Sequence, residues 1–290
     1  MRVEPSSRGM ALGGSLSAVC CEHLDAFFHN PALLSASVDR MVSVSYLNHL
    51  SDLSAGFAAY SHDLGRYGTA AAGVRYLHYG SLQRTDDTGT SSGTFTASDM
   101  VLTLGAGRAY RSRFRYGINV HLAYSGIDDY SAVALLADLG AVFHDPVQQF
   151  TASASVNSAG LVLRSLGSTA DEVPVDLRVS IAKRLRHLPL FVTLTAYNLN
   201  AIGSGPDAGG TASDIAAHTI LGLDFQVVPA FAIRLGYNHR RHINLSSGRR
   251  PDLAGTGMGF GLRVKGFTLD YAYSSWSFAG LHQFTVGTQL

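Results

Sequence analysis

The sequence predicts an all-β fold: a transmembrane antiparallel β-barrel of about fourteen strands with a short N-terminal plug. Three observations predict it. Long segments alternate apolar and polar residues with a period of two. Their connections sort into a short set and a long set. No apolar run approaches the roughly 20 residues that a spanning helix needs. The chain has 290 residues, 46% hydrophobic and only 15% charged, with 31 glycines, 13 tyrosines and 14 phenylalanines, which is too apolar and aromatic for a disordered chain. A formal net charge of +1, with no block of like charges, lacks the electrostatic footprint of a nucleic-acid binder. A chain that spans a bilayer without helices must close its sheet, because lipid offers no partner to a free backbone N–H or C=O.

Residues 1–40 do not alternate and are read as a plug inside the barrel formed by residues 41–290. They contain SSRGMALGGSLSA and then LDAFFHNPALL. Glycines such as Gly13 and Gly14 permit tight turns in a packed lumen, and Asn30–Pro31 initiates a turn after a short helical segment. Adjacent Cys20 and Cys21 read as two small thiols, since neighbours rarely meet disulfide geometry and two thiols alone make no zinc site. LSAVC only faintly matches a lipoprotein cleavage site, with Val19 too large before the cysteine. MRVEPSSRGMALGG lacks a basic tip followed by an apolar core, so the chain is read as starting near its mature N-terminus.

Strands are expected to begin near Met41, Asp52, Tyr67, Phe95, Phe114, Asp129, Phe150, Asp176, Leu190, His218, Ala230, Gly255, Gly266 and Gly280. Alternation is clearest late in the chain. Leu221, Leu223, Phe225 and Val227 oppose Gly222, Asp224 and Gln226; Phe231, Ile233, Leu235 and Tyr237 oppose Ala232, Arg234, Gly236 and Asn238. The same code runs through Met258–Val264 and Phe267–Tyr273, and through Tyr116–Tyr124 earlier. A soluble β-sandwich also alternates. Connection lengths separate the two, because HDLGR, YRSR, HDPVQQ, RHLP, VPA and KG are short, whereas residues 83–99, 157–175, 200–217 and 240–254 form long stretches rich in Gly, Ser, Thr and Asp. Short turns on one side and long loops on the other match a single-chain outer-membrane barrel.

Register follows from pairing opposed residues across a hairpin. Setting Val227 opposite Phe231 places Asp224 across from Arg234. A similar alignment of the next hairpin places Arg263 across from Asp270, Val264 from Leu269 and Leu262 from Tyr271. Both expected pairs, Asp224 with Arg234 and Arg263 with Asp270, fall on the polar, lumen-facing side, where a partner matters more than on an open surface.

Catalytic readings are weak. HRRH at residues 239–242 would set its two histidines on opposite faces of a strand end, so it reads as a solvated loop base rather than a metal site. GTGMGFG at residues 255–261 runs into a strand and is no dinucleotide fingerprint, and the scattered serines have no nucleophile-elbow context. No catalytic residue, metal site or cofactor is assigned, and the chain is read as no enzyme.

The plug residues Gly13, Gly14, Asn30, Pro31 and Ala32 resemble the glycine-rich stretch and Asn-Pro-Ala motif of FadL-like outer-membrane proteins. GTFTASDMVLTLGAGRAY, YSAVALLADLGAVF and VPVDLRVSIAKRLRHLPLFVTLTAYNLN resemble the PorQ family within that superfamily. His29, the paired cysteines and a terminal Leu290 in place of an aromatic residue depart from the pattern. The resemblance implies an outer-membrane location and a non-enzymatic component of type IX protein secretion. Its long outer loops would dock a surface attachment complex alongside a sortase and a surface-lipopolysaccharide-binding subunit. The alternative is a FadL-like channel for hydrophobic small molecules.

Overall fold

A computed structural model describes residues 3–48, 53–85, 90–166, 173–203, 211–246, 252–276 and 279–290. Fourteen antiparallel strands run in sequence order around a closed barrel. They are β1 Met41–Asn48, β2 Ser54–Asp63, β3 Thr69–Thr85, β4 Ser91–Tyr110, β5 Phe114–Ile127, β6 Tyr130–Asp145, β7 Phe150–Arg164, β8 Asp176–Arg184, β9 Leu190–Ala196, β10 Thr219–Val228, β11 Phe231–Asn238, β12 Thr256–Val264, β13 Phe267–Trp276 and β14 Ala279–Gln289. Closure is made by β1 on β14, from Met41 opposite Gln289 to Asn48 opposite His282, so no strand edge is left free. The expected start at Asp52 lies outside the described residues; β2 begins at Ser54.

Alternation sorts side chains between lumen and exterior. On β5 the outward row reads Tyr116, Ile118, Val120, Leu122 and Tyr124, aromatic at both ends and aliphatic between, while Asn119 and His121 are buried inside. Such a row has the height and the two aromatic girdles of a bilayer-facing surface. Leu104 is 67% and Leu139 57% exposed on neighbouring strands, which a soluble protein would hide. Among the described residues no helix is long and apolar enough to cross a membrane.

Connections at the terminal end of the barrel are short throughout. At the other end, the stretch expected as a loop at residues 83–99 is largely strand: β3 runs to Thr85 and β4 starts at Ser91. These strands, 17 and 20 residues long, exceed the roughly 9–11 residues that cross a bilayer, so their hairpin extends beyond the wall. Ladder hydrogen bonds here outweigh the turn-forming composition. The expected loops at 200–217 and 240–254 contain helices, α2 Thr211–Ala217 and α3 His239–Leu245; residues 204–210 and 247–251 fall outside the described set.

Register in the β12–β13 hairpin corrects the expectation. Lys265 and Gly266 form a two-residue turn with φ of 47° and 88°, the left-handed pair that matches strand twist. Val264 therefore faces Phe267, Leu262 faces Leu269, Arg263 faces Thr268, and Asp270 faces Gly261. The longer turn assumed from sequence displaces each partner by two positions and keeps every face, which is why alternation gave no warning. In the preceding hairpin Asp224 does face Arg234, but an irregularity near the turn sets Val228, and not Val227, against Phe231.

Residues 3–40 lie within the lumen. Helix α1 Ser7–Ala11 is capped by the Ser6 side chain, which accepts from the Gly9 N–H. Short 3-10 helices follow at Leu24–Phe28, Pro31–Leu33 and Ala36–Val38. Met10, Leu12, Leu16, Leu24, Phe27 and Leu33 are fully buried against the wall.

Candidate functional site

Asn30 shows how the N-terminal segment is seated. Its side-chain Oδ1 accepts from the Ala32 N–H at 3.0 Å, and Pro31 opens the next 3-10 turn, where a missing N–H costs nothing. The turn presses its backbone against Gly117 of β5, where a Cβ would collide with the Pro31 carbonyl. From the wall, Arg115 donates through Nε to the Ala32 carbonyl at 3.1 Å and through its terminal nitrogen to the Leu34 carbonyl. Asn119 Nδ2 donates to the Phe27 carbonyl at 2.8 Å. At the opposite wall the turn after α1 uses Gly13 and Gly14, with φ of 87° and 102°, and a Cβ on Gly236 would strike the Gly13 backbone. Ser7 N–H donates to Thr285 Oγ1 at 2.8 Å, and Gln283 Nε2 to the Glu4 carbonyl at 3.0 Å.

Cys20 and Cys21 lie side by side, and Cys21 takes a left-handed backbone, φ 96°.

On the short-turn side, a charge cluster ties segment to wall. Arg8 donates to Asp224 Oδ2 at 2.7 Å, and Arg234 Nε donates to the same oxygen at 3.0 Å. Arg234 also bonds Asp270. The expected pair of Arg263 with Asp270 is thus absent: the two-residue turn sets them out of register, and Arg263 instead approaches Glu22 at 4.0 Å near solvent. Asp224 and Arg234 are each only 5% exposed, so the cluster is buried between segment and wall.

On the loop side of the segment lies a cavity of about 540 Å³. Its apolar wall includes Phe28, Val101, Leu136 and Trp276; its polar wall includes Glu4, His29, Arg75, His121, Asp138 and Arg241. His29 Nε2 lies 2.8 Å from Glu4 Oε1. His121 Nε2 lies 2.6 Å from Asp138 Oδ2, and Thr103 Oγ1 2.9 Å from His121 Nδ1. At this point the β6–β7 ladder carries a bulge. The β6–β7 ladder passes from Ala137 opposite Ala159 to Leu139 opposite Val156, and Asp138 Oδ1 accepts from the N–H of Ser158, whose φ is 62°.

None of these cavity residues was singled out from sequence as a site. Arg75 could have been, as a lone charge in the inward row Ala71, Gly73, Arg75 and Leu77. The HRRH segment is corrected as well. It is the first turn of α3 and not a strand end, so His239 and His242 share a face, their rings stacked 6.3 Å apart, while Arg241 reaches the lumen at Gly14. Among the described residues no group of three or more His, Cys, Asp or Glu side chains could hold a metal ion.

No family model and no curated protein matches the sequence. Solved structures share its fold. The Pseudomonas putida toluene transporter TodX aligns over 99% of this chain and 97% of its own, at 12% identity and a TM-score of 0.60. The Ralstonia pickettii toluene transporter TbuX aligns over 99% and 98%, at 13% identity and 0.62. A Pseudomonas aeruginosa FadL homologue aligns over 100% and 99%, at 10% identity and 0.60.

Proposed function

We propose that this chain is an outer-membrane channel of FadL-like type that passes small, largely apolar molecules. The observation that carries the reading is the lumen cavity, which meets the barrel wall where the β6–β7 ladder is interrupted at Asp138 and Ser158. A barrel that serves only as an anchor has no need of a chamber of this size, which falls in the range of small-molecule sites. The charge cluster of Arg8, Asp224, Arg234 and Asp270 lies on the short-turn side of the lumen, and we place the exit of a molecule in the chamber at the bulge of Asp138 and Ser158. The shared fold with toluene transporters supports the same reading.

The test is uptake by cells whose lipopolysaccharide-bearing outer membrane slows toluene. Expression of the full chain should accelerate uptake, and Ala123→Trp together with Leu136→Trp, which fill the chamber, should return it to the background rate. Unaccelerated uptake by cells that display the assembled barrel would refute the channel.

A second reading keeps the docking role in type IX secretion, with a sortase and a surface-lipopolysaccharide-binding subunit as partners. The long β3–β4 hairpin beyond the wall favours it. Co-purification of such subunits from native membrane, lost when the hairpin is shortened, would support it.

A further inference from the structure

The two rims of the barrel differ in charge. At the short-turn end, exposed turns and strand ends carry Arg66, Arg108, Arg111, Lys183, Arg186 and Lys265, and among the described residues none of these side chains forms an ion pair. The acids of that end have other partners: Asp39 the Asp63 N–H and His62, Asp63 the Thr69 hydroxyl at 2.9 Å, and Asp145 the Arg113 guanidinium at 3.2 Å with N–H groups of its own turn. The loop connections are instead rich in acid, with Asp86, Asp87, Asp128, Asp129, Asp171 and Glu172 in the sequence.

The cations sit where the lipid-facing surface ends. On β4 the outward row Leu102, Leu104 and Ala106 runs into Arg108 and Tyr110, and on β8 Leu177, Val179 and Ile181 run into Lys183. Arg66 lies over the Tyr67 ring, 4.7 Å from its centroid, Arg111 over Tyr110 at 5.4 Å, and Lys183 over Phe150 at 6.0 Å. A row that turns from aliphatic to aromatic and cationic marks the level at which hydrocarbon gives way to headgroups. There a guanidinium fork fits phosphate oxygens. A zwitterionic headgroup brings its own cation, whereas an anionic one supplies the missing sign. The cations are also spread over the β2–β3, β4–β5, β8–β9 and β12–β13 connections, which suits a ring of lipids rather than one compact soluble anion.

We propose that the short-turn rim binds the phosphate groups of anionic phospholipids in the leaflet facing the short turns. Such binding depends on the barrel's place in a bilayer and not on what the lumen passes, so it stands or falls apart from the channel.

The experiment is electron spin resonance of the full chain in phosphatidylcholine vesicles holding a trace of spin-labelled phosphatidylglycerol or spin-labelled phosphatidylcholine, which reads the share of each label immobilised at the barrel. Phosphatidylglycerol should associate about twofold to fivefold more strongly, a cation near a lipid surface being worth up to about fivefold. The preference should shrink toward equality in about 1 M sodium chloride, where screening cuts the range of the attraction to about 3 Å. Arg66→Gln, Arg108→Gln, Arg111→Gln and Lys183→Gln combined should remove most of it, and Arg164→Gln at the loop end should leave it. Equal association of the two lipids with the wild-type chain, or a preference that the combined variant keeps, would overturn the proposal. A preference erased by inorganic phosphate, but not by chloride at matched ionic strength, would also overturn it, by assigning the rim to a soluble anion. The wild-type comparison of lipids and salts decides even where the combined variant fails to assemble.

Discussion

Arg234 of β11 reaches Asp270 of β13 across the whole width of β12, and the residue between them is Gly261. A Cβ at Gly261 would collide with both the Asp270 carboxylate and the Arg234 guanidinium. The bridge therefore depends on a missing side chain. Gly261→Val should separate the pair and lower barrel stability by about 1–3 kcal/mol, the usual cost of overfilling a packed interior. Urea unfolding of the refolded protein in detergent measures it, and unaltered stability would show that the cluster has room to rearrange.

Seating of the N-terminal segment makes a separate prediction. Gly117 and Gly236 touch its backbone at Pro31 and Gly13, so Gly117→Leu and Gly236→Leu should loosen the segment while the strands still close. Limited proteolysis should then release fragments from residues 3–40 of the variants faster than from the wild type. An unchanged cleavage rate in both would mean that the segment does not rely on those contacts.

Outward faces can be tested with charge. Phe225 and Ile233 are paired on adjacent strands and project outward at 41% and 43% exposure, whereas Thr268 lines a lumen recess with Asp25 and Asp270. Phe225→Arg or Ile233→Arg should cost about 2–4 kcal/mol if they sit near the bilayer midplane, and Thr268→Arg much less. Assembly yield into vesicles reads the difference, and equal yields would reverse the assigned faces.

Asp39, at the junction between the segment and β1, predicts a pH dependence. Its carboxylate accepts from the Asp63 N–H at 2.8 Å and lies 3.1 Å from His62 Nδ1, and the backbone hydrogen bond, with help from His62, holds it below the usual carboxylate range. A group whose pKa is depressed on folding contributes stability above its unfolded value, near 3.9, and loses that contribution as pH falls through the folded value. Asp39→Asn should thus weaken the junction at neutral pH, with the difference from wild type closing in acid below that range. Parallel unfolding curves across pH check it, and a difference independent of pH would assign the effect to packing.

The sequence by itself determined the barrel. Alternation from Tyr116 to Tyr124 and from Leu221 to Val227 fixed which side chains face out, because a period of two leaves each strand only two choices. Strand positions were legible for the same reason, with the expected starts at Met41, Phe114, Phe150, Asp176 and Leu190 matching the strands found. What tertiary structure decided lies between elements distant in the chain. The partner of Asp270 depended on a two-residue turn and on the empty place at Gly261, and a slip of two positions preserves every face, so periodicity could not see it. The cavity needed more still: Glu4 and His29 from the N-terminal segment, Arg75 from β3, Asp138 from β6 and Arg241 from α3 meet only after the barrel has closed around residues 3–40. No local pattern encodes that meeting, because each residue alone is an ordinary charge on a polar face, and its significance comes from which neighbours are already paired when it arrives.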